Sequence, residues 1–213
     1  LDALGVKCRV HCCSDGAVRL ALDAFENAGK KNGFRDMRHA IEHIEHIMPE
    51  DISRFRELGV VASVQPEHAP RTHYATHPFH HLLGEKRMRY MWAFKSLMDA
   101  GADMAFGTDY PVVEFTPFKG LFRAVNRLTN ELEPEGGYNP EEKLTVHEAL
   151  RNYTYGSAYA SGREKELGTI EPGKLADIVV LGKNPFEVIH DRDQMFSMPV
   201  LMTMMDGNIV YEA

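Results

Sequence analysis

The sequence predicts an α/β protein, and two observations support that prediction. Four short runs with strand character are separated by segments whose apolar residues recur at helical spacing. Such alternation is typical of parallel sheets with helical crossovers. From residue 166 onward the pattern changes, because Asp206-Gly207 stands between two apolar runs, as the turn of a β-hairpin does. We therefore expect an α/β unit over residues 1–165 and a small antiparallel β unit over residues 166–213.

The first two strand-helix units lie at the start of the chain. Residues 6–12 alternate apolar and polar side chains, and the polar ones share one face. Ser14 then opens a helix. Residues 38–46 form the second candidate strand, and Pro49 begins the helix that follows it. Because the chain opens at Leu1 almost directly on a strand, we expect it to begin part-way through a larger fold.

The third and fourth strands are separated by a segment rich in histidine. Residues 59–66 are a β-branched run that proline closes. Residues 67–85 show no helix or strand pattern, so we expect a lid loop there. Residues 86–101 have apolar side chains at helical spacing and lead to a short strand that ends before Asp109. The histidines of the expected lid are His68, His73, His77, His80 and His81.

Four such units can form an open, doubly wound sheet or one half of a barrel. Period-2 alternation leaves only Ala105 and Gly107 on the side of Asp109, so there is room beside this carboxylate. His11 and the other polar residues of the first strand also face inward. A polar inner face suits the lumen of a (β/α)8 TIM-type barrel better than a buried open sheet, and we predict half of such a barrel.

The rest of the chain is predicted to be helical and then β. Residues 118–132 form a helix, and Thr145 with Glu148 forms a capping box that opens another. Three apolar runs are the expected strands of the tail, at residues 178–181, 200–205 and 209–211.

Composition excludes several classes of partner. The 213 residues are 44% hydrophobic and carry a net charge of -7, with Lys and Arg scattered along the chain. Nucleic acid and anionic membranes are therefore not expected as partners. No apolar run nears the roughly 20 residues of a membrane span. Cys8, Cys12 and Cys13 lie together without a distant partner, which argues against a disulfide framework and fits a reducing, cytoplasmic compartment.

Three polar side chains stand at the ends of predicted strands: His11, His43 and Asp109. Catalytic groups gather at this end of barrel strands. Two imidazoles and a carboxylate suit zinc or a similar divalent ion, which lowers the pKa of bound water to about 7. Asp109 could bind the metal, take the proton of that water and pass it to a leaving nitrogen. Two alternatives stay open here: the histidines serve structure alone, or His11 and Asp109 perform acid-base chemistry without metal.

Five ordered motifs resemble the amidohydrolase superfamily, and most of all its YtcJ-like branch, amidohydrolase family 3. The motifs are HCCSDGAV at 11–18, IEH at 41–43, VQP at 64–66, GTDYP at 107–111, and residues 168–180. The resemblance implies that His11 and His43 are metal ligands ending the fifth and sixth barrel strands, and that Asp109 is the acid ending the eighth. It therefore implies the C-terminal half of the barrel, with the tail as part of the small β-sandwich that flanks it.

The departures from the family pattern concern the metal site. The first-strand His-x-His pair and the fourth-strand bridging lysine or acid have no counterpart in this chain. His39 shares the face of His43, and His46 is within reach of it, so either is an alternative ligand. Gln65 and His68 are expected to contact substrate. The other lid histidines are expected to be solvated, with an unrelated metal site among them as the alternative.

The resemblance implies a metal-dependent hydrolase that uses metal-activated water to cleave a non-peptide carbon-nitrogen bond in an amide-type small molecule. Because half of the metal site is absent, we expect the chain alone to be inactive. The alternative is a non-catalytic half-barrel fragment or oligomerisation module. In both cases the exposed sheet edges favour a homo-oligomer or association with the missing N-terminal half.

Overall fold

The computed structural model describes residues 1–72 and 74–213, so the predicted lid residue His73 lies outside the described residues. The strands are β1 (Arg9–Cys12), β2 (Ala40–His43), β3 (Val61–Val64), β4 (Met104–Phe106), β5 (Ile178–Leu181), β6 (Val200–Met205) and β7 (Asn208–Glu212). The helices are α1 (Asp15–Asn32), α2 (Pro49–Leu58), α3 (Phe79–Met88), α4 (Phe94–Asp99), α5 (Phe118–Asn126), α6 (Val146–Arg151), α7 (Ser157–Ser161), α8 (Pro185–Val188) and α9 (Arg192–Phe196). Short 3-10 turns lie at Asp2–Leu4, Pro66–His68, Tyr74–Thr76 and Pro140–Glu142.

The first four strands form one parallel sheet in chain order, β1-β2-β3-β4. The expectation of an α/β protein with a parallel sheet is confirmed. In this register the carboxyl ends of β1 and β2 lie side by side, because Cys12 is paired with His43. Side chains that follow these strands therefore meet at one edge of the sheet. Across the described residues, no helix has both the length and the apolar character that a bilayer crossing requires.

The two faces of this sheet differ in chemistry. The outer face packs against helices through fully buried apolar side chains such as Leu22 of α1 and Phe55 of α2. On the inner face, the side chain of Arg9 bonds that of Glu42 at 2.6 Å and that of Ser63 at 3.0 Å. Ala40, Val61, Ala105 and Ala160 form a separate apolar cluster beside this polar group. The inner face therefore carries a polar network across β1, β2 and β3.

The predicted helix over residues 86–101 is wrong, because the chain breaks between α3 and α4. Trp92 adopts a left-handed backbone with φ 48°, and its N–H donates to the carbonyl of Glu45 at 2.9 Å. Met91 forms an isolated bridge with His46. Hydrogen bonds to the loop after β2 thus replace the helical bonds that local sequence favours. The expected lid is also more ordered than its sequence suggests, since it contains two 3-10 turns and α3.

Helix α5 ends at Asn126 rather than at residue 132, and Arg127 explains the difference. Arg127 has a left-handed backbone, with φ 58°. Its guanidinium is fully buried and donates to the carbonyls of Met91, Trp92 and Tyr138 at 2.8–3.1 Å. These bonds fix the turn. The predicted capping box of Thr145 and Glu148 is confirmed, and a π-helical turn, Asn152–Gly156, continues α6 into α7.

The tail forms an antiparallel sheet, β5-β6-β7, and the Asp206-Gly207 turn joins its last two strands as predicted. Apolar side chains on it are exposed, Ile209 to 56% and Val179 to 52%. The segment between β5 and β6 packs on the α/β part, where Phe196 meets Phe122 edge to face with ring centroids 5.5 Å apart.

Candidate metal centre

His43 is held in place at the end of β2. Its backbone is left-handed, with φ 76°, which interrupts the period-2 alternation of the strand. Its Nδ1 lies 2.8 Å from the side-chain oxygen of Gln65, which is buried just after β3. Because an amide oxygen only accepts, Nδ1 must carry the proton, and Nε2 is left with its lone pair free. His43 is therefore oriented as a metal-ligating histidine is.

His68 follows β3 in a 3-10 turn and lies beside His43. Their rings are stacked, with centroids 5.6 Å apart. Burial and the neighbouring His43 lower the pKa of His68, partly offset by Asp109, so its imidazole is neutral at pH 7. Its Nε2 is buried and, within the described part of the chain, has no hydrogen-bond partner. An unpaired buried nitrogen costs stability unless something binds it.

Asp109 completes the group from the loop after β4. It is exposed and has a left-handed backbone, with φ 61°. One ligand atom each from His43, His68 and Asp109 lies within 4.8 Å of the others. Two of these residues thus adopt a backbone conformation that is uncommon outside glycine, as functional residues often do.

His11 is adjacent to this group but is not part of it. Its ring packs edge-on against that of His43, with centroids 4.4 Å apart. Its Nε2 lies 3.5 Å from the sulfur of Cys13. Burial raises the pKa of the Cys13 thiol to about 11, so this sulfur is protonated at pH 7. The expected ligand set of His11, His43 and Asp109 stays a prediction.

The two alternative histidines have structural partners instead. His39 precedes β2 at the opposite end from His43, accepts from the backbone N–H of Cys8 at 3.0 Å and stacks on Phe25. The Nε2 of His46 lies 3.0 Å from the carbonyl oxygen of Arg87. Both side chains are buried.

Of the three lid histidines that the structure describes, two differ from the expectation of solvated side chains and one agrees with it. His77 and His80 are half-buried and pack edge-on against Trp92 and Tyr74, respectively. His81 is exposed. Among the described residues, none of these three belongs to a group able to hold a metal ion.

The sequence of the chain matches a known protein family. The sequence profile of the amidohydrolase family matches residues 1–211. The chain belongs to this family. The predicted resemblance to its YtcJ-like branch is confirmed, because the chain is 32% identical to YtcJ of Bacillus subtilis over 211 residues. That match covers 98% of this chain and 38% of the relative.

Two further relatives connect the family to chemistry. An N-substituted formamide deformylase of Arthrobacter pascens is 30% identical over 98% of this chain and 37% of its own length. An uncharacterized metal-dependent hydrolase of Pyrococcus horikoshii has a crystal structure that is similar over 90% of this chain and 37% of that one, with 29% identity and a TM-score of 0.72. This amidohydrolase-family chain therefore spans less than two fifths of each of these relatives.

The residues of the candidate centre fit the divalent ion that such hydrolases use. The donor set is two imidazoles and one carboxylate, which is the ligand chemistry that zinc and related ions accept. The unpartnered Nε2 of His68 and the Nε2 that Gln65 leaves free on His43 are suitable nitrogen donors. The fit rests on these atoms.

Sequence reasoning gave His68 a substrate contact and missed its place in the group. The relevant signal was available, because His68 comes three residues after Gln65 at the end of a predicted strand. The strand-end rule that selected His11, His43 and Asp109 applies equally to it. The short 3-10 turn that begins at Pro66 is what brings the ring back over the strand ends.

Proposed function

We propose that this chain carries part of the active site of a metal-dependent amidohydrolase that cleaves a non-peptide, amide-type carbon-nitrogen bond in a small molecule. The convergence of His43, His68 and Asp109 at the strand ends supports this proposal most directly. The deformylase relative supports the bond type, since an N-substituted formamide contains such a bond.

His43, His68 and Asp109 are the proposed ligands, and His11 is the further nitrogen within reach. A bound divalent ion, which we take to be zinc, supplies Lewis acidity that activates water and polarises the carbonyl of the substrate. Gln65 holds His43 in the tautomer that leaves Nε2 free. We propose this positioning role for Gln65 beside the substrate contact expected from the sequence.

Asp109 is the proposed acid-base group. Its exposed carboxylate takes one proton from the attacking water as the oxygen-carbon bond forms. It then returns that proton to the leaving nitrogen as the carbon-nitrogen bond breaks. The buried imidazole of His68 is neutral at pH 7 and is assigned as a nitrogen ligand, so we assign the proton transfer to Asp109.

The proposed architecture is the C-terminal half of a (β/α)8 barrel, over residues 1–165, followed by part of a flanking β-sandwich over residues 166–213. The chain-order parallel sheet with a polar inner face supports the barrel half. The antiparallel tail with exposed apolar side chains supports the sandwich part. The three free cysteines agree with the cytoplasmic location that we propose.

Metal content tests the proposed centre. The chain is exchanged into zinc-containing buffer, desalted and measured by elemental analysis, with His43→Ala, His68→Ala, Asp109→Asn and His11→Ala beside it. We expect about one ion per chain, lost in the first three variants. Loss in His11→Ala as well would add this residue to the ligand set.

His81→Ala is the matched control, because His81 is exposed and lies outside the group. It should keep the full metal content. The basis of the proposal would be removed by a metal content that none of the four substitutions changes, or by one that is zero both for the chain alone and for the chain mixed with the N-terminal part of YtcJ. Formate release from an N-substituted formamide, by the chain alone and by the chain mixed with the N-terminal part of YtcJ, then tests the reaction.

A second candidate function is association without chemistry. Among the described strands, β1 and β4 each pair on one side only, and β7 exposes Ile209 to 56%. Unpaired edges and apolar surface favour self-association or binding of a complementary barrel half. Sedimentation velocity over a range of concentrations distinguishes a monomer from an oligomer, and an oligomer without metal would support this candidate.

A further inference from the structure

A cavity of about 390 Å³ is lined by residues that the proposed metal centre does not use. Its walls come from the loops after β3 and β4, from α5 and from α9. The two loops are those that carry His68 and Asp109. Four cationic side chains line the cavity, namely Arg71, Lys119, Arg123 and Arg192.

Two of these cations are neutralised by neighbouring carboxylates. Lys119 pairs with Glu114 at 2.9 Å. Arg192 pairs with Asp193 at 2.7 Å. Within the described part of the chain, the other two guanidinium groups have no carboxylate within 4.0 Å. The cavity therefore presents two unpaired positive charges.

Arg123 is the more unusual of these two groups, because its side chain is only 1% exposed. It donates to the carbonyl of Leu128 at 3.0 Å and to the side-chain oxygen of Asn130 at 2.8 Å. Both acceptors are neutral. Its Nε is buried and has no partner among the described residues. A buried charge without a counter-ion is costly, and Arg is well suited to bind carboxylates.

Arg71 stands at the open side of the same cavity. It is exposed, and its backbone carbonyl accepts from the N–H of Asn130 at 2.7 Å. Asn130 also binds Arg123, so one loop fixes the positions of both arginines. Two guanidinium groups that line one cavity match the two oxygens of a carboxylate.

Glu67 gives the cavity an acceptor as well. Its side chain is 5% exposed, and its Oε2 is buried without a hydrogen-bond partner in the described residues. Glu67 and Arg123 line the same cavity but do not form an ion pair. A ligand between them must present an acid to the arginine and a hydrogen-bond donor to the glutamate.

We propose that this cavity binds a small hydroxy- or amino-carboxylic acid. The carboxylate of the ligand is held by Arg71 and Arg123, and its hydroxyl or ammonium group donates to Glu67. A plain inorganic anion would satisfy the arginines and leave the buried Oε2 of Glu67 unpaired. Binding at this cavity does not depend on the proposed hydrolase activity.

Calorimetric titration of the metal-free chain tests the proposal at low ionic strength. The metal is removed on a chelating resin, so that carboxylates cannot bind through an ion at the candidate centre. The probes are L-malate, L-aspartate, succinate and succinamide. We expect saturable binding of malate or aspartate, at least fivefold weaker binding of succinate, and none of uncharged succinamide. The stronger of the first two probes shows whether the cavity takes a hydroxy or an amino acid.

Variants locate the binding. Arg71→Gln changes an exposed side chain, so the fold is retained, and we expect malate or aspartate to bind at least tenfold more weakly. Glu67→Leu should remove the advantage of these acids over succinate. Arg163→Gln is the control, because Arg163 is exposed and pairs with Glu166 outside the cavity. The proposal is overturned if no acid binds saturably, or if Arg71→Gln binds as tightly as the unchanged chain.

Discussion

At the residue scale, the candidate centre depends on orientation as much as on ligand identity. His43 can offer Nε2 to an ion because Gln65 occupies its Nδ1. Glu42 in turn accepts from the amide nitrogen of Gln65 at 3.4 Å, and Arg9 pairs with Glu42 at 2.6 Å. A series of polar contacts along the inner face of the sheet thus ends at the candidate centre of His43, His68 and Asp109.

Gln65→Leu is expected to weaken metal binding by roughly 10–100-fold, because it removes the acceptor that fixes the tautomer of His43. Competition with a chromophoric chelator measures the affinity. Gln65→Glu keeps an oxygen acceptor at this position and should retain most of the affinity. Equal affinities for the unchanged chain and Gln65→Leu would show that Gln65 does not orient His43.

Sequence reasoning located two members of the group and misjudged a third. His43 and Asp109 could be chosen because both follow apolar runs that end in parallel strands. His68 also follows a predicted strand, but the sequence after Pro66 does not reveal the 3-10 turn that brings its ring beside His43. The cavity of Arg71, Glu67 and Arg123 could not be inferred at all, since it joins a loop to a helix 56 residues beyond Glu67.

At the scale of elements, hydrophobic periodicity predicted the strands well and the ends of the helices less well. β1 to β4 and the last hairpin lie where alternation or β-branched residues placed them. The predicted helix ends were wrong where hydrogen bonds to distant parts of the chain determine the backbone conformation. Arg127 and Trp92 both adopt left-handed backbones, which their residue types do not favour. The Arg127 guanidinium donates to the carbonyl of Trp92, and this hydrogen bond stabilises both turns.

The contact between β4 and the π-helical turn gives a prediction at this scale. A Cβ on Gly156 would overlap the carbonyl oxygen of Met104, which belongs to the backbone of β4. Gly156→Ala should therefore lower the free energy of unfolding by about 1–3 kcal/mol. Urea unfolding measures the change.

Gly16→Ala is the matched control, because a Cβ there meets no atom within 4 Å. As a helical substitution it should leave stability unchanged or raise it by about 0.5–1 kcal/mol. If Gly156→Ala and Gly16→Ala have the same stability, the close packing of the π-helical turn on β4 is refuted.

At the scale of the whole molecule, one ion pair joins distant parts of the chain. Arg38, just before β2, donates to both carboxylate oxygens of Glu164, beyond α7, at 2.8 and 3.0 Å. The same guanidinium lies over the ring of Tyr159, 4.0 Å from its centroid. Hydrogen bonds from Arg38 lower the pKa of Glu164 to about 2.

This pair predicts a pH-dependent contribution to stability. The pKa of Glu164 is lower in the folded than in the unfolded chain, where it is about 4.5. The stabilisation is therefore fully present above about pH 5 and is lost as the pH falls toward 2. Glu164→Gln should lower the melting temperature by a few degrees at pH 7.

Melting curves from pH 7 down to pH 3 measure this effect. The difference between Glu164→Gln and the unchanged chain should shrink as the pH falls. Glu166→Gln serves as the control, because Glu166 forms an exposed pair with Arg163 that should contribute little. A difference that is constant with pH would mean that Glu164 acts through packing rather than through its charge.

The chain-order sheet also determines how this molecule can form. Each of β2, β3 and β4 pairs with the strand that precedes it in the chain. The pairing partner of each of these strands is therefore already present when that strand forms. Contacts of this kind close loops of one strand-helix unit at a time, which keeps the entropic cost of each step low. During synthesis this sheet can therefore be extended strand by strand in chain order, with β4 and the loop of Asp109 added to it last.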